Sequence, residues 1–202
     1  MIERLLQPLR TAATWRSLVH AVLDLPVGLA TFVPIVILLA LSGALLITLP
    51  LALPVIVVLF MTARLIGKIE RGRVAALHRV QLADPIAPSA GGSWWQRFKA
   101  MVTSGARWKE IAYALLRLPT GMLFTVVALH LWAGSMAVLL LPLYAGALPG
   151  DEAHFGLFDV SAGAEALLGV PVGLLGLLVV APWATHLIGF LDVGMARILL
   201  GP

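Results

Sequence analysis

The residues that could do chemistry in this sequence are the ionisable side chains that interrupt or flank long apolar stretches: His130, His186 and Asp192. Ionisable groups in such stretches mark candidate functional sites, because a charge is costly inside a bilayer. Two histidines on facing helices could ligate a metal or a haem, or relay protons. Neither a cysteine nor a paired carboxylate accompanies them. We therefore predict structural histidines with no bound metal and no cofactor; proton sensing and metal or haem binding are the alternatives.

Asp24 and Arg117 occupy equivalent positions in a motif that occurs twice, once from Trp15 to Gly28 and again from Trp108 to Gly121. The identical pairs are Trp15/Trp108, Ala21/Ala114, Leu23/Leu116, Leu25/Leu118, Pro26/Pro119 and Gly28/Gly121. Such repetition indicates an internal duplication. If a twofold relates the copies, Asp24 and Arg117 form a salt bridge between them; two separately solvated charges are the alternative.

Other polar positions predict structure more than catalysis. Asp192 could pair with Arg64 or Arg197 as a structural partner. The sequence lacks Gly-x-Ser-x-Gly, P-loop, His-Glu-x-x-His and dinucleotide-binding motifs. We therefore predict that the protein is not an enzyme.

The elements that position these residues are predicted to be membrane-spanning helices. Of the 202 residues, 60% are hydrophobic and 12% charged, and the mean hydropathy is +1.00. These values are typical of integral membrane proteins. No ionisable side chain occurs between Leu25 and Ala63, a helical length of roughly 60 Å, or about two bilayer crossings. The sequence thus predicts a hairpin there.

The predicted fold is an all-α membrane protein with four transmembrane helices, arranged as two parallel-repeat hairpins. The spans are expected at about 25–46, 48–66, 118–141 and 170–192. With this topology all 14 Lys and Arg residues lie on one side, and the segment 142–169 has none. The positive-inside rule then predicts a multi-pass protein of the plasma membrane with both termini in the cytoplasm.

The chain is predicted to be a single membrane domain, 1–202. Repeat one covers 14–80, a Pro/Gly/Ser-rich linker 81–93, an interfacial helix 94–107 and repeat two 108–202. Amphipathic helices on the cytoplasmic side are expected to carry interfacial anchors at Trp15, Trp94, Trp95 and Trp108. The turn into each span is predicted at Pro26, Gly28, Pro119 and Gly121, unless these are the ends of longer tilted helices.

Charge and cysteine content limit the partners. The net charge of +4 is attributed to orientation and to anionic head groups of the lipid bilayer, so we predict no nucleic-acid binding. With no cysteine, neither disulfides nor thiolate metal sites can form.

The paired motifs Trp-Arg/Lys-x4-Ala-x-Leu-x-Leu-Pro-x-Gly, with basic endings at Ala63-Arg64-Leu65 and Ala196-Arg197-Ile198, resemble a known family. It is the four-helix transmembrane sensor domain of actinobacterial-type two-component sensor histidine kinases. The resemblance covers nearly the whole chain. In that family kinase domains usually follow the sensor domain, and the 202 residues have no room for them. It implies a stand-alone sensor that detects a membrane or envelope signal and relays it to a separate kinase or regulator, or acts as a homo-oligomer. The alternative is a membrane subunit of a transporter, with a polar pathway lined by His130, His186 and Asp192.

Overall fold

The computed structural model describes residues 11–86, 91–147, 152–155, 158–161 and 164–202. These residues are mostly helical. The helices are α1 (Ala12–Ala44), α2 (Leu49–His78), α3 (Trp94–Thr103), α4 (Gly105–Tyr144), α5 (Ala164–Leu175) and α6 (Ala181–Leu200). Short 3-10 segments, Leu45–Thr48 and Ala145–Ala147, follow α1 and α4. The predicted helical fold is therefore observed.

Three helical stretches are long and apolar enough to cross a membrane: Thr14–His78, Gly105–Ala147 and Ala166–Leu200. Together with the composition, they make this a membrane protein. The number of crossings and the cytoplasmic position of the termini stay predictions, and Arg4 and Arg10, which contribute to the charge asymmetry, lie outside the described residues.

The first of these stretches folds back on itself. Ile35 of α1 shares a buried apolar cluster with Leu59 of α2. Farther from the junction, His20 lies 2.9 Å from Arg73. Because rising numbers in α1 meet falling numbers in α2, the two helices are antiparallel and reverse at Leu45–Thr48.

The described chain groups into two compact units. One combines the chain up to Leu18 with Thr125–Ile188, and the other combines Val19–Phe124 with Gly189–Pro202. The boundaries fall inside α1, α4 and α6, not at the predicted repeat boundaries. The predicted single domain and repeat limits stay predictions.

In the first unit, small residues let helices approach closely. A Cβ at Gly173 would overlap the backbone of Leu139, and one at Gly176 would overlap the side chain of Ser135. Nearby, Trp132 Nε1 donates to Thr185 Oγ1 at 3.0 Å. This unit also holds an antiparallel pair of strands, β1 (Glu152–Phe155) and β2 (Phe158–Ser161). The side chains of these strands are outside the described part of the structure.

A five-residue π-helical turn, Gly176–Val180, joins α5 to α6. It lies directly before Ala181 and Pro182. Proline has no N–H for the helical ladder, so a local change of hydrogen-bonding pattern is tolerated there. The predicted fourth span thus contains a helical irregularity.

The predicted turns at Pro26 and Pro119 are not helix boundaries. Pro26 lies inside α1 and Pro119 inside α4, and both helices continue through them. The alternative interpretation, in which the amphipathic stretches are the ends of longer helices, describes the structure. A real boundary lies at Ser104, whose extended backbone (φ −74°, ψ 111°) ends α3 at Thr103. The predicted interfacial helix 94–107 is therefore shorter, and residues 105–107 belong to α4.

Candidate functional site

The candidate site is a buried ionic network in the second unit, to which α1, α2, α4 and α6 all contribute. Arg117 of α4 lies at its centre with a fully buried side chain. Its guanidinium donates to Asp24 Oδ1 of α1 and to Asp192 Oδ1 of α6. Arg117 Nε also lies 3.7 Å from Glu70 Oε2 of α2. One arginine thus contacts carboxylates from three other helices.

A second arginine, Arg73 of α2, contacts two of these carboxylates, Asp24 and Glu70. Its Nη2 donates to Asp24 Oδ1, and its Nη1 lies 3.5 Å from Glu70 Oε1. Three carboxylates therefore share two guanidinium groups in a buried site. Since unpaired buried charges are strongly unfavourable, this arrangement requires an additional favourable contact or proton.

His20 occupies the position where that proton can be shared. Its Nε2 lies 2.8 Å from Asp192 Oδ2, and its Nδ1 lies 3.2 Å from Asp24 Oδ1. Arg73 Nη2 also lies 2.9 Å from His20 Nδ1. The imidazole therefore lies between the two aspartates that Arg117 also contacts.

Tyr113 completes the network from α4. It is fully buried and its hydroxyl donates to Glu70 Oε2 at 2.9 Å. The Arg117 guanidinium carbon lies 5.9 Å from the Tyr113 ring centre. Tyr113 therefore supplies both a neutral donor to the carboxylate and an aromatic face to the arginine.

A separate cluster is centred on Glu110 of α4. Glu110 Oε1 accepts from Arg64 Nη1 at 2.9 Å and from Arg71 Nη2 at 2.8 Å. Arg64 also donates to Asp84, beyond the end of α2. That hydrogen bond lowers the pKa of the Asp84 carboxyl to about 2, and the amide of Ile86 adds to the effect. The cluster fastens the segment after α2 to α2 and α4.

Two glycines allow the backbones of α1 and α4 to approach each other closely beside the Asp24–Arg117 ion pair. A Cβ at Gly28 would lie 3.1 Å from Leu118 Cα and 3.4 Å from the Arg117 carbonyl oxygen. A Cβ at Gly121 would lie 3.0 Å from Asp24 Cβ and 3.3 Å from the Asp24 carbonyl oxygen. Each glycine thus faces the position that carries the charge in the other copy of the motif.

Among the described residues, His20, His78 and Asp192 could hold a metal ion, because one ligand atom from each lies within 4.8 Å of the others. Two of the three are already engaged by arginines. Arg73 Nη2 lies 2.9 Å from His20 Nδ1 and 3.5 Å from His20 Nε2, and Asp192 Oδ1 accepts from Arg117. A metal ion would therefore compete with these two guanidinium groups.

Comparison with known proteins identifies the chain at the level of a family. A family model described as "Putative sensor" matches residues 23–200, which include the buried network except His20. The chain belongs to this sensor family. No curated protein and no solved structure matches the chain.

In this member of the sensor family, the predicted polar positions fall in different environments. Asp192 is buried in the ionic network and pairs with Arg117, not with Arg64 or Arg197. His130 and His186 are exposed side chains of the first unit. His130 Nδ1 lies 2.9 Å from the Val126 carbonyl oxygen of its own helix, so one ring nitrogen has a partner within α4.

The predicted tryptophan anchors have defined neighbours. Trp15 and Trp132 rings have centroids 5.3 Å apart. Trp108 Nε1 donates to the Val102 carbonyl oxygen at 2.7 Å. Trp94 and Trp95 are each 58% exposed on α3, so they remain available to an interface.

Several residues of the network and of the Glu110 cluster were not singled out from the sequence of this sensor-family protein: His20, Glu70, Arg73, His78, Tyr113, Glu110 and Arg71. A signal for them existed in the scarcity of acidic residues. Every acidic side chain that the structure describes has an arginine within 4.0 Å, namely Asp24, Glu70, Asp84, Glu110 and Asp192. In an apolar chain, each carboxylate near the basic helix ends could have been predicted to form an ion pair with an arginine, because an unpaired buried charge is unfavourable.

Proposed function

We propose that this chain is a non-enzymatic membrane sensor, which detects a membrane or envelope signal and relays it to a cytoplasmic signalling partner of the two-component type, such as a kinase or regulator. Membership of the sensor family over residues 23–200 supports the sensing role. The resemblance of the duplicated motif to sensor domains of histidine kinases supports the two-component context.

The proposed topology has four spans in two hairpins, with both termini in the cytoplasm. The reversal of the chain at Leu45–Thr48 supports the first hairpin. The arrangement of Asp24, Arg117, Gly28 and Gly121 supports a duplication, since each motif presents the same positions to the other. All described Lys and Arg residues then face the cytoplasm.

The observation that carries the proposal is the central position of Arg117. It holds Asp24 and Asp192, which belong to the two different hairpins of the proposed topology. Three carboxylates share Arg117 and Arg73, so more than one pairing is available. A signal that shifts one helix can exchange one ion pair for another without leaving a charge unpaired. Such an exchange provides the two discrete states that a switch requires.

The polar pathway expected of a transporter receives less support. Asp192 is occupied by Arg117 and His20. His130 and His186 are exposed, and Nδ1 of His130 contacts a carbonyl oxygen of its own helix. The buried polar groups are thus engaged in links between helices, as a sensor requires.

Site-specific crosslinking in native membranes tests this function. A photo-reactive residue at Lys68 or Lys99, both exposed basic positions, should capture a histidine kinase or a transcription regulator. The matched control is the same residue at Leu143, an exposed apolar position, which should not capture that protein. Recovery of a transport ATPase or permease at Lys68 or Lys99 would overturn the proposal in favour of transport. The same partner recovered equally from Leu143 would also contradict it.

A further inference from the structure

A groove with apolar walls and basic edges lies beside the Glu110 cluster, in the second unit. Its main cavity, of about 680 Å³, lies between α2, the segment after α2, α3 and the start of α4. Apolar side chains provide most of its wall: Val57, Met61, Ile86, Trp94, Phe98 and Met101. A second cavity of about 340 Å³ adjoins it, and the two share Met61 and Arg107.

Cations line the edge of this groove. Arg97 and Arg107 line the main cavity, while Arg64, Lys68 and Arg107 line the second. Arg64 is engaged by Glu110 and Asp84. Within the described residues, no carboxylate lies at ion-pair distance from Lys68, Arg97 or Arg107. These three cations are therefore available to an anionic ligand.

The order of side chains along α2 gives the ligand a direction. Val57 and Met61 come first, and Lys68 follows three turns after Val57, about 16 Å along the helix axis. In the proposed topology α2 runs toward the cytoplasm, so its apolar residues lie deeper in the bilayer than Lys68. This is the polarity of an inner-leaflet phospholipid, with its acyl chains inside and its phosphate at the surface.

We propose that the groove binds one acidic phospholipid of the inner leaflet. Its phosphate contacts Lys68 and Arg107, Arg97 provides further positive charge at the head group, and an acyl chain lies against Met61 and Ile86. This proposal rests on one part of the proposed function, namely that the chain lies in the membrane and that α2 runs toward the cytoplasm. It assigns a lipid ligand to the proposed sensor.

The groove is preformed, because both ends of α3 are fixed. Ser93 and Gln96 form reciprocal hydrogen bonds at its first turn. At its last turn the Val102 carbonyl accepts from Trp108 Nε1, and the Trp108 ring packs edge-on against Phe60 at 5.2 Å. Trp94 stacks on Phe98 at 5.5 Å and stiffens the apolar wall. A rigid site loses less entropy when the lipid binds.

Lipid binding to the purified full chain tests the proposal. Native mass spectrometry would compare a phosphatidylglycerol with a phosphatidylcholine of the same acyl chains. We expect one bound lipid, with the anionic head group preferred by at least about tenfold. Lys68→Gln/Arg107→Gln should remove this preference. Lys99→Gln/Lys109→Gln is the matched control, since it removes the same charge from exposed positions outside the groove lining, and it should leave the preference nearly unchanged.

Other outcomes would overturn the site. Equal loss in both double variants would mean that only the overall charge attracts lipid. Equal binding of the two lipids would mean an apolar groove without head-group recognition, and displacement of the lipid by inorganic phosphate alone would point to a phosphate site. Ala100→Leu, which adds volume to the lining, should weaken binding without changing charge; unchanged binding would place the lipid elsewhere.

The crosslinking experiment distinguishes failure of the lipid site from failure of the sensor function. If no lipid binds but Lys99 still crosslinks to a kinase or regulator, the sensor function stands and only the lipid site is refuted.

Discussion

Arg117 donates a hydrogen bond to Asp24, the residue that stands at its own position in the other copy of the Trp-to-Gly motif. The proposed duplication predicts this contact, because a twofold that relates two copies brings equivalent positions together at its axis. Gly28 and Gly121 extend the relationship, since each approaches the other copy's charged position. Two identical charged residues at these equivalent positions would repel each other. Asp24 and Arg117 have opposite charges and attract each other instead.

Replacing Arg117 by methionine should destabilise the protein strongly. The change keeps an apolar stem of similar length but leaves Asp24, Asp192 and Glu70 buried with Arg73 as their remaining arginine in the network. Breaking buried pairs of this kind costs about 3–5 kcal/mol. Thermal unfolding in lipid nanodiscs, followed by circular dichroism, would measure the loss.

Neutralising a carboxylate should return part of that stability. Arg117→Met/Asp192→Asn is expected to be more stable than Arg117→Met, because it removes one of the uncompensated charges. Lys99→Met is the control, since Lys99 is exposed, lies outside the lipid groove and has no carboxylate partner among the described side chains, and it should change stability by at most about 0.5 kcal/mol. An Arg117→Met protein as stable as wild type would refute the network's structural role.

The sequence predicted this pair but not its surroundings. The Asp24–Arg117 pair could be predicted because the motif occurs twice, and a repeated motif can be recognised in a single sequence. Glu70, Arg73 and His20 belong to no motif, and they meet only because α1 and α2 reverse at Leu45–Thr48. The apolar pattern predicted helices correctly. The continuation of α1 through Pro26 was not predicted, because it depends on packing between helices and not on the local sequence.

Gly173→Ala should be strongly destabilising, and Gly134→Ala should not be. A Cβ at Gly173 would overlap the backbone nitrogen of Leu139 and lie 2.6 Å from its Cα. Backbone cannot move aside as a flexible side chain can. At Gly134 no atom lies within 4 Å of the added Cβ, and alanine favours the helix by about 0.5–1 kcal/mol. Unfolding temperatures of the two variants should therefore move in opposite directions.

The contrast between these variants separates packing from propensity. Both substitutions lie in helices of the first unit and add the same methyl group. Equal effects of the two would mean that α4 and α5 do not approach closely at Gly173. A raised melting temperature in Gly173→Ala would contradict the observed contact directly.

Acid should release the Asp84 contact at an unusually low pH. Arg64 lowers the pKa of Asp84 to about 2, whereas a free aspartate titrates near about 3.9. The contact is complete above the unfolded-state pKa and is lost as pH falls from about 4 to about 2. Carbon-13 NMR of the labelled Asp84 carboxyl would follow the titration. In Arg64→Met the midpoint should rise toward the ordinary value.

The segment around Asp84 was predicted as part of a flexible linker, 81–93. Composition alone suggested this, because Pro, Gly and Ser dominate its second half. The structure ties its first half down, through Arg64 and the Ile86 amide. An unshifted midpoint in the titration would restore the linker interpretation for residues 81–86.

Zinc should stabilise the protein only when Arg73 is removed. In wild type Arg73 Nη2 lies 2.9 Å from His20 Nδ1 and 3.5 Å from His20 Nε2, so its positive charge repels a metal ion and competes with it for the ring. Arg73→Gln removes that cation from the cluster and leaves the ring nitrogens free for a metal. His20, His78 and Asp192, whose ligand atoms lie within 4.8 Å of one another, can then converge on one ion.

Thermal unfolding with and without zinc measures this difference. A site filled at a hundredfold excess over its dissociation constant adds about 2.7 kcal/mol, so Arg73→Gln should gain several degrees while wild type gains none. Adding His78→Ala to Arg73→Gln should abolish the gain, because it removes one ligand. If zinc stabilises wild type to the same extent, Arg73 does not exclude the metal, and the buried network is a metal site. If neither protein responds, the three ligands cannot converge, and the cluster serves only as a hydrogen-bonded link between α1, α2 and α6.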